Sequence, residues 1–303
     1  MLNLSVNPVV RHPDLSIVLG TLNRRRLLQS TIQTIRGNGF AGTIEIIVVD
    51  GGSTDGTCEW LARQRDILSI VQPNYRTHLP NGQLQRAHSW GEFINLGFRA
   101  ATAPWVLMVS DDLLLCRGVI DSALSTLQRR TAEGEQIGGG AIFFREYPRD
   151  ENYHVKLLPG GVVHINHGLF NKAALEAVGY ADQVAFDFYG ADGDLTMRLN
   201  AAGWRSIALE GCYAEHLQHR TKIWSKIRRR TNQSSVDADM ALFHKRWGFF
   251  ATGEATSAIR RWLDPEKTGR AFWRISPLSC VEGVLKRLIV KAGWYHPDCN
   301  GIR

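Results

Sequence analysis

Residues 44–57 have the sequence IEIIVVDGGSTDGT, a run of β-branched residues that stops at an Asp-Gly-Gly turn. The apolar run is nearly continuous, as expected for a parallel strand that helices cover on both faces. The turn leads into residues 58–64, which we predict to be a helix with Asp55 as its N-cap. A strand, a polar turn and a helix in this order predict a βαβ unit and hence an α/β fold.

Neighbouring segments continue this alternation of strands and helices. Short apolar runs predict further strands at residues 15–19, 68–71, 105–109, 141–144, 161–166 and 204–209. Apolar residues at helical spacing predict helices at residues 24–35, 91–101, 172–178 and 239–247. Ligands of open parallel sheets bind beyond the carboxyl ends of the strands, where Thr21, Asp50 and Asp111 all fall. We therefore expect these three side chains to face one crevice.

Composition limits the class of protein. The 303 residues are 44% hydrophobic and 21% charged, which is enough apolar content for one large domain or two modest ones. We predict neither a signal peptide nor an apolar stretch long enough to cross a bilayer, so a cytoplasmic location is the expectation. The five cysteines are odd in number and lack a Cys-x-x-Cys pair, which argues against a disulfide framework and a zinc ribbon.

The net charge of +7 is unevenly distributed along the chain. Residues 1–216 carry 19 basic and 22 acidic side chains, whereas residues 217–303 carry 17 basic and 7 acidic ones. We expect an ordinary globular domain at 1–216 and a basic, mainly helical extension at 217–303. Such asymmetry indicates that the extension meets something anionic, either nucleic acid or an acidic bilayer. Its most distinctive segments are a basic run at 222–230 and an amphipathic run at 281–289.

Four stretches form an ordered set of motifs. They are LSIVLGTLNR at 15–24, IEIIVVDGGSTDGT at 44–57, the segment from Asn95 to WVLMVSDD at 105–112, and VGYADQVAFDFYGADGDLTMRLNAAGWRS at 178–206 with EHLQHR at 215–220. In order and spacing they resemble the inverting glycosyltransferases of family 2, which have the GT-A fold. The resemblance covers about residues 14–247. It implies a Rossmann-like, mostly parallel sheet flanked by helices, with a nucleotide-binding half at about 14–112 and an acceptor half at about 113–216.

The resemblance also implies the chemistry. A sugar passes, with inversion, from a nucleotide diphosphate sugar to the hydroxyl of a sugar, glycan or lipid-linked acceptor. Asp112 and His216 would bind Mn²⁺ or Mg²⁺, which neutralises the diphosphate, and Asp111 would lie against the ribose or the metal-bound waters. Two adjacent carboxylates repel each other, which also favours a bound cation. The alternatives are a helix-capping role for the two aspartates and a surface position for His216, with His219 as its rival.

Asp192 takes the place of the family's catalytic base, which removes the proton from the acceptor hydroxyl. The family has a Glu immediately before this Asp, whereas this chain has Ala191, so the means of orienting the base is open. The alternative role for Asp192 is a helix cap. Asp194 and Arg198, one helical turn apart, are expected to be a structural pair.

Thr21, Asn23 and Asp50 stand where the family binds the base and ribose of the donor. Gly51 follows Asp50 where many relatives have an acidic or amide residue, so the base is not assigned. Arg86 is a candidate contact for the diphosphate. The segments at 73–90 and 138–161 are candidate walls of the acceptor site because they are rich in aromatic and hydrogen-bonding groups.

Two other functions compete with this one. A nucleotidyltransferase also needs acidic residues and a cation, but the Gly-rich, Lys-bearing phosphate loop expected near the first strand is replaced by TLNRRR. The third candidate is a catalytically silent sugar- or nucleic-acid-binding protein. The joint presence of Asp112, Asp192 and His216 argues against it. We expect a nucleotide-sugar donor and no nucleic acid. For the extension, peripheral contact with an anionic inner membrane competes with packing of the 281–289 segment on the domain.

Overall fold

The structure, a computed structural model, describes residues 12–73, 77–78, 84–85, 88–147, 150, 152–217, 237–249 and 254–256, and single positions at 277, 281, 284, 285 and 288. Arg86, His219 and the basic run at 222–230 lie outside this part of the chain. So does most of the predicted acceptor wall at 73–90.

Within the described residues, eleven strands form one mixed sheet. They are β1 (Leu15–Thr21), β2 (Ile44–Asp50), β3 (Ile67–Val71), β6 (Trp105–Ser110), β7 (Leu113–Leu115), β8 (Ile137–Tyr147), β9 (His154–Leu158), β10 (Val162–Val163), β11 (Gly168–Asn171), β12 (Arg205–Leu217) and β13 (Glu254–Thr256). A separate two-stranded sheet pairs β4 (Thr77–His78) with β5 (Leu84–Gln85).

The helices connect these strands. They are α1 (Arg25–Arg36), α2 (Thr57–Leu61), α3 (Trp90–Ala100), α4 (Val119–Ala132), α5 (Lys172–Ala177) and α6 (Ala191–Ala201), followed by a helix at residues 237–247. Strands β3, β2, β1 and β6 are parallel neighbours in that order, and β12 runs parallel to β8. Strand β11 is antiparallel to both β6 and β8 and joins the two halves. This arrangement confirms the predicted α/β fold.

Strand β1 shows why the central strands are apolar throughout. Leu15, Ile17 and Leu19 pack into one core cluster, while Val18 packs into a second cluster on the opposite face of the sheet. Successive side chains of a strand point to opposite faces, so a strand with helices on both faces buries every position. Glycine allows the close approach of α3, because a Cβ at Gly97 would lie 2.3 Å from a methyl carbon of Val18.

Two predicted elements differ from the structure in ways that concern the site. The strand predicted at 161–166 is only the two residues of β10, because Gly160 and Gly161 both adopt a φ of 76° in the turn before it. Strand β12 is longer than predicted and reaches His216, because the chain resumes its pairing with β8 after an irregularity between Leu209 and Tyr213.

The predicted cap of α2 is wrong by one residue. Gly56 is the N-cap, with a φ of 85°. Asp55 still stabilises the helix start, because its carboxylate accepts hydrogen bonds from the amide and hydroxyl of Thr57. A glycine at this position avoids the strain that a side chain has at positive φ.

The helix at residues 237–247 packs against the acceptor half. Phe243 is fully buried with Leu158, Phe186, Ala191 and Met197. The carboxylate of Asp239 accepts hydrogen bonds from the consecutive backbone amides at positions 187–189, at 2.8–3.0 Å. These contacts hold the loop that leads into α6. In the part of the chain that the structure describes, no helix is both long enough and apolar enough to span a membrane.

Candidate active site

The turn after β2 offers one side of the crevice. The Oδ1 atom of Asp50 accepts hydrogen bonds from the amides of Gly52 (2.8 Å) and Ser53 (2.7 Å). Its Oδ2 atom is buried and has no hydrogen-bond partner among the described residues. A buried carboxylate oxygen is costly unless a donor reaches it. The second oxygen of Asp50 is therefore an acceptor whose hydrogen-bonding capacity is not used within the described part of the chain.

Asn23 connects this turn to the end of β1. Its backbone amide donates a hydrogen bond to Ser53 Oγ at 2.8 Å. Its side-chain Oδ1 accepts a hydrogen bond from the backbone amide of Thr54 at 2.7 Å. Its φ of 54° is in the left-handed region, which asparagine adopts more readily than most residues. Asn23 thus holds the turn in place rather than presenting its side-chain oxygen to the crevice.

Asp111 and Asp112 follow β6 and are both buried. Asp111 accepts a hydrogen bond from Thr21 Oγ1 at 2.7 Å, so the predicted meeting of the β1 and β6 ends is confirmed. Arg24 Nη1 lies 2.8 Å from Asp111 and 3.2 Å from Asp112 and bridges the two carboxylates. Burial is the main effect that raises the pKa of Asp111, and repulsion from Asp112 adds to it. The charge of Arg24 opposes both, and the resulting pKa is about 6.

His216 contacts the second aspartate because of strand register. In the antiparallel β7–β12 ladder His216 lies opposite Leu113, the residue after Asp112. Its Nε2 is 3.2 Å from Asp112 Oδ1, and its Nδ1 is 2.9 Å from Glu146 Oε1. Glu146 lies opposite His216 in the parallel β8–β12 ladder. One imidazole is thus held between two carboxylates.

The charges in this cluster reinforce each other. Burial alone would lower the pKa of His216, but the hydrogen bonds and charges of Asp112 and Glu146 outweigh it and raise that pKa to about 10. Burial opposes ionisation of Asp112, yet His216 and Arg24 together hold the pKa of Asp112 well below its usual range. Without a metal, the cluster is therefore an ionised carboxylate beside an imidazolium at neutral pH.

The donor set fits a divalent cation held jointly with a ligand. A carboxylate oxygen and an imidazole nitrogen lie within 3.2 Å of each other, and the other ring nitrogen faces a carboxylate, as is common for histidines that ligate metals. Among the described residues, no group of three or more His, Cys, Asp and Glu side chains is arranged to hold a metal. The protein would therefore supply two ligands here, and the remainder must come from the substrate and water.

Asp192 is in the first turn of α6, after Gly190, which has a φ of 75°. Its Oδ1 accepts a hydrogen bond from the Gly193 amide at 2.9 Å, and its Oδ2 is 3.2 Å from His164 Nε2. Burial opposes its ionisation, but the charge of His164 and these hydrogen bonds lower the pKa of Asp192 below its usual range. The side chain is 22% exposed, so it is partly accessible to solvent.

Asp194 is enclosed, unlike Asp192. It is fully buried and pairs with Arg198 at 2.8 Å, as predicted. Its other oxygen accepts hydrogen bonds from Trp247 Nε1 at 2.9 Å and Arg246 Nη1 at 3.2 Å. Asp194 thus links α6 to the 237–247 helix, which is a structural role.

Four polar residues of the site were not predicted from the sequence: Arg24, Glu146, His164 and His167. His167 is buried, its ring centroid is 5.2 Å from that of His216, and it interacts electrostatically with Asp112 and with Asp192. Burial, together with the charge of His216, lowers the pKa of His167 to about 3, so this ring is neutral. The pair His164 and His167 lies in the stretch GVVHINHG, whose two histidines were a visible signal.

The α/β fold is of the GT-A type. Residues 16–176, just over half of the chain, match Glycosyl transferase family 2. The chain therefore belongs to that family. Over 139 residues the chain is 33% identical to GalNAc(5)-diNAcBac-PP-undecaprenol beta-1,3-glucosyltransferase of Campylobacter jejuni. That match covers 44% of this chain and only 40% of the length of the relative.

Solved structures share the fold. Mannosyltransferase PcManGT from Pyrobaculum calidifontis, solved with GDP-Man and Mn²⁺, has a TM-score of 0.54 and 16% identity, and the match covers 95% of this chain and 78% of that one. TarS of S. aureus has a TM-score of 0.51 and 15% identity, with coverage of 77% and 41%. These likenesses confirm the predicted GT-A architecture.

Proposed function

We propose that this protein transfers a sugar from a nucleotide diphosphate sugar to an acceptor hydroxyl with inversion, assisted by Mn²⁺ or Mg²⁺. The observation that carries the proposal is the contact between Asp112 and His216, which two strand registers bring together. The ring of His167 lies beside that of His216, and the charges of both Asp112 and Asp192 act on the pKa of His167, which supports one continuous site.

The donor occupies the ends of β1, β2 and β6 in this proposal. Asp50 Oδ2, buried and without a partner among the described residues, accepts a hydrogen bond from the base or ribose. Thr21 and Arg24 hold Asp111, which faces the ribose or the metal-bound waters. Asn23 keeps the turn of Asp50 in shape.

Asp112 and His216 would hold the divalent cation together with the diphosphate. When bound, the cation neutralises charge that develops on the leaving diphosphate. Glu146 fixes the His216 ring so that Nε2 faces Asp112, where the two side chains would hold the cation. Arg24, whose guanidinium already bridges Asp111 and Asp112, supplies a second positive charge at the same edge of the sheet.

Asp192 acts as the general base. As the acceptor oxygen attacks the anomeric carbon, its proton passes to the Asp192 carboxylate, and the bond from that carbon to the diphosphate oxygen breaks with its electron pair on the nucleoside diphosphate. Attack occurs on the face opposite the leaving group, which inverts the anomeric centre. The lowered pKa of Asp192 ensures that the carboxylate is ionised before the acceptor binds.

The acceptor in this proposal is a lipid-linked glycan at the inner face of a membrane. The similar Campylobacter jejuni enzyme carries an undecaprenol-linked glycan in its name. In the extension, Val281, Val284, Leu285 and Leu288 are helical and 44–57% exposed, so about half of the surface of each apolar side chain is open to solvent. Together with the basic excess after residue 216, they suit an anionic bilayer surface.

A panel of UDP-glucose, UDP-N-acetylglucosamine and GDP-mannose, with Mn²⁺, Mg²⁺ or EDTA, tests the activity. We expect at least one to raise the melting temperature in the presence of metal, because binding to the folded state stabilises it, and to release nucleoside diphosphate slowly by hydrolysis. Stabilisation without release would indicate a silent binding protein. Neither effect with any nucleotide sugar would contradict the proposal.

A further inference from the structure

We propose that His164 is the positioning residue of the base, holding the Asp192 carboxylate in the orientation that accepts the acceptor proton. The inference rests on the proposed function of Asp192 and deepens it. The position before the base, Ala191, is fully buried in an apolar cluster with Phe243 and has no polar side-chain atom to perform this role.

The contacts of Asp192 leave it one defined orientation. Oδ1 accepts from the amide of Gly193 in the same helix, and Oδ2 faces His164 Nε2 at 3.2 Å. The His164 side chain is only 6% exposed, whereas that of Asp192 is 22% exposed. The imidazole is therefore the more deeply buried of the two groups, and the Asp192 side chain remains partly open to solvent.

One buried hydroxyl links the backbone of Asp192 to that of Ile165, the residue after His164. Thr196 Oγ1 donates to the carbonyl of Asp192 at 2.9 Å and accepts from the amide of Ile165 at 3.3 Å. The His164 amide also donates to the carbonyl of Lys156 at 2.9 Å. The loop after β10 is thus fixed against the first turn of α6, which makes the contact of His164 and Asp192 part of the fold.

Orientation matters for this base because the carboxylate is a weak one. The contact with His164 and the positive charge of Lys156 stabilise its ionised form, so its capacity to remove a proton depends on close alignment with the acceptor hydroxyl. Loss of such alignment costs about ten- to a hundredfold in rate without weakening donor binding. Those two effects together distinguish positioning from a general loss of structure.

The test compares His164→Leu, which removes the ring nitrogens, with His164→Gln, whose amide can donate from a similar place. Turnover is release of nucleoside diphosphate from whichever of UDP-glucose, UDP-N-acetylglucosamine and GDP-mannose the wild type hydrolyses fastest with Mn²⁺. We expect His164→Leu to lower kcat about tenfold or more at unchanged KM for the donor, and His164→Gln to recover most of the loss. The matched control, His154→Gln, replaces another buried histidine, whose ring packs on Phe144, and should leave kcat within about twofold.

The Asp192→Asn background separates the two proposals. If His164 acts through Asp192, adding His164→Leu to Asp192→Asn should lower turnover no further. Full activity of His164→Leu alongside an inactive Asp192→Asn would overturn the positioning role and leave the base in place. An active Asp192→Asn would overturn the base assignment itself.

A measurement on the folded wild-type chain covers the case in which His164→Leu does not fold. In protein labelled with ¹⁵N at histidine, the Nε2 resonance of His164, assigned with His164→Gln, should shift when Asp192 is replaced by Asn. An unchanged resonance would contradict the contact, whatever the activity.

Discussion

Glu146 and His216 face each other across the parallel β8–β12 ladder, with His216 Nδ1 2.9 Å from Glu146 Oε1. The preceding residues of the two strands form a second pair on the opposite face, where Arg145 Nη2 is 2.6 Å from Glu215 Oε1 and both side chains are buried. Because neighbouring residues of a strand point to opposite faces, one register fixes both pairs. A slip by one residue would move His216 away from Asp112, so the buried Arg145–Glu215 pair helps to define the site.

Replacing Glu146 by Gln is expected to weaken Mn²⁺ binding about ten- to a hundredfold, because the carboxylate orients the His216 ring and raises its basicity. Calorimetric titration of Mn²⁺ in the presence of UDP or GDP measures this. The matched control is Glu133→Gln, since Glu133 is exposed and pairs only with Arg129 one helical turn away in the described residues. Equal Mn²⁺ affinity of Glu146→Gln and wild type would contradict the assignment of His216 as a ligand.

Metal binding should release a proton. The pKa of His216 is raised to about 10, so the ring is protonated at neutral pH, whereas a metal ligand must be the neutral imidazole. Apparent Mn²⁺ affinity should therefore rise by up to about tenfold for each unit of pH below that pKa. Titrations at pH 7 in buffers with different ionisation enthalpies give the proton count, which we expect to be close to one. His216→Ala should release none, and proton-free binding by the wild type would refute the account.

Replacing Glu215 by Gln should destabilise the protein by about 3–5 kcal/mol, because the buried guanidinium of Arg145 then lacks its charged partner. Tyr153 also loses a charged acceptor for its hydroxyl. Urea unfolding measures the change in the free energy of unfolding. The double variant Arg145→Met/Glu215→Leu, which removes both charges, should be less destabilised than Glu215→Gln. A smaller loss in Glu215→Gln than in the double variant would show that the unpaired charge of Arg145 is not the cause of the destabilisation.

Truncation after Asp264 is expected to abolish co-sedimentation with anionic lipid vesicles at low salt and to leave nucleotide-sugar hydrolysis intact. The double variant Leu285→Glu/Leu288→Glu should weaken binding in the full chain, because both side chains are more than half exposed on an apolar helical surface. High salt should weaken binding as well, since the basic residues act through screened charge. Full-length protein that ignores anionic vesicles at low salt would rule out this surface as a membrane contact.

The donor side of the site was largely predictable from the sequence, since it depends on where strands end. Thr21 and Asp111 follow neighbouring parallel strands, so their hydrogen bond is a consequence of sheet topology. Glu146 was not predictable in this way, because its contact with His216 depends on the register of two strands about 70 positions apart. No local pattern determines that register.

His164 was missed for a different reason. The segment around it has apolar residues at strand spacing, which predicted a strand through residue 166, whereas the chain leaves the sheet after Val163. Only the structure shows that this loop lies against α6 through Thr196. Arg24 was counted within the first helix of the prediction, but it precedes α1 and turns its side chain to the two aspartates.

The central claim is that Asp192 is the base of a sugar transfer whose donor is held elsewhere in the crevice. Asp192→Asn keeps the shape of the side chain and removes its basicity. The most direct test of the claim is to titrate this variant with the nucleotide sugar that the wild-type protein hydrolyses and to measure turnover on the same sample. We expect unchanged donor affinity and a loss of turnover of about a hundredfold to ten-thousandfold. Turnover above about a tenth of the wild-type value at full donor occupancy would contradict the account.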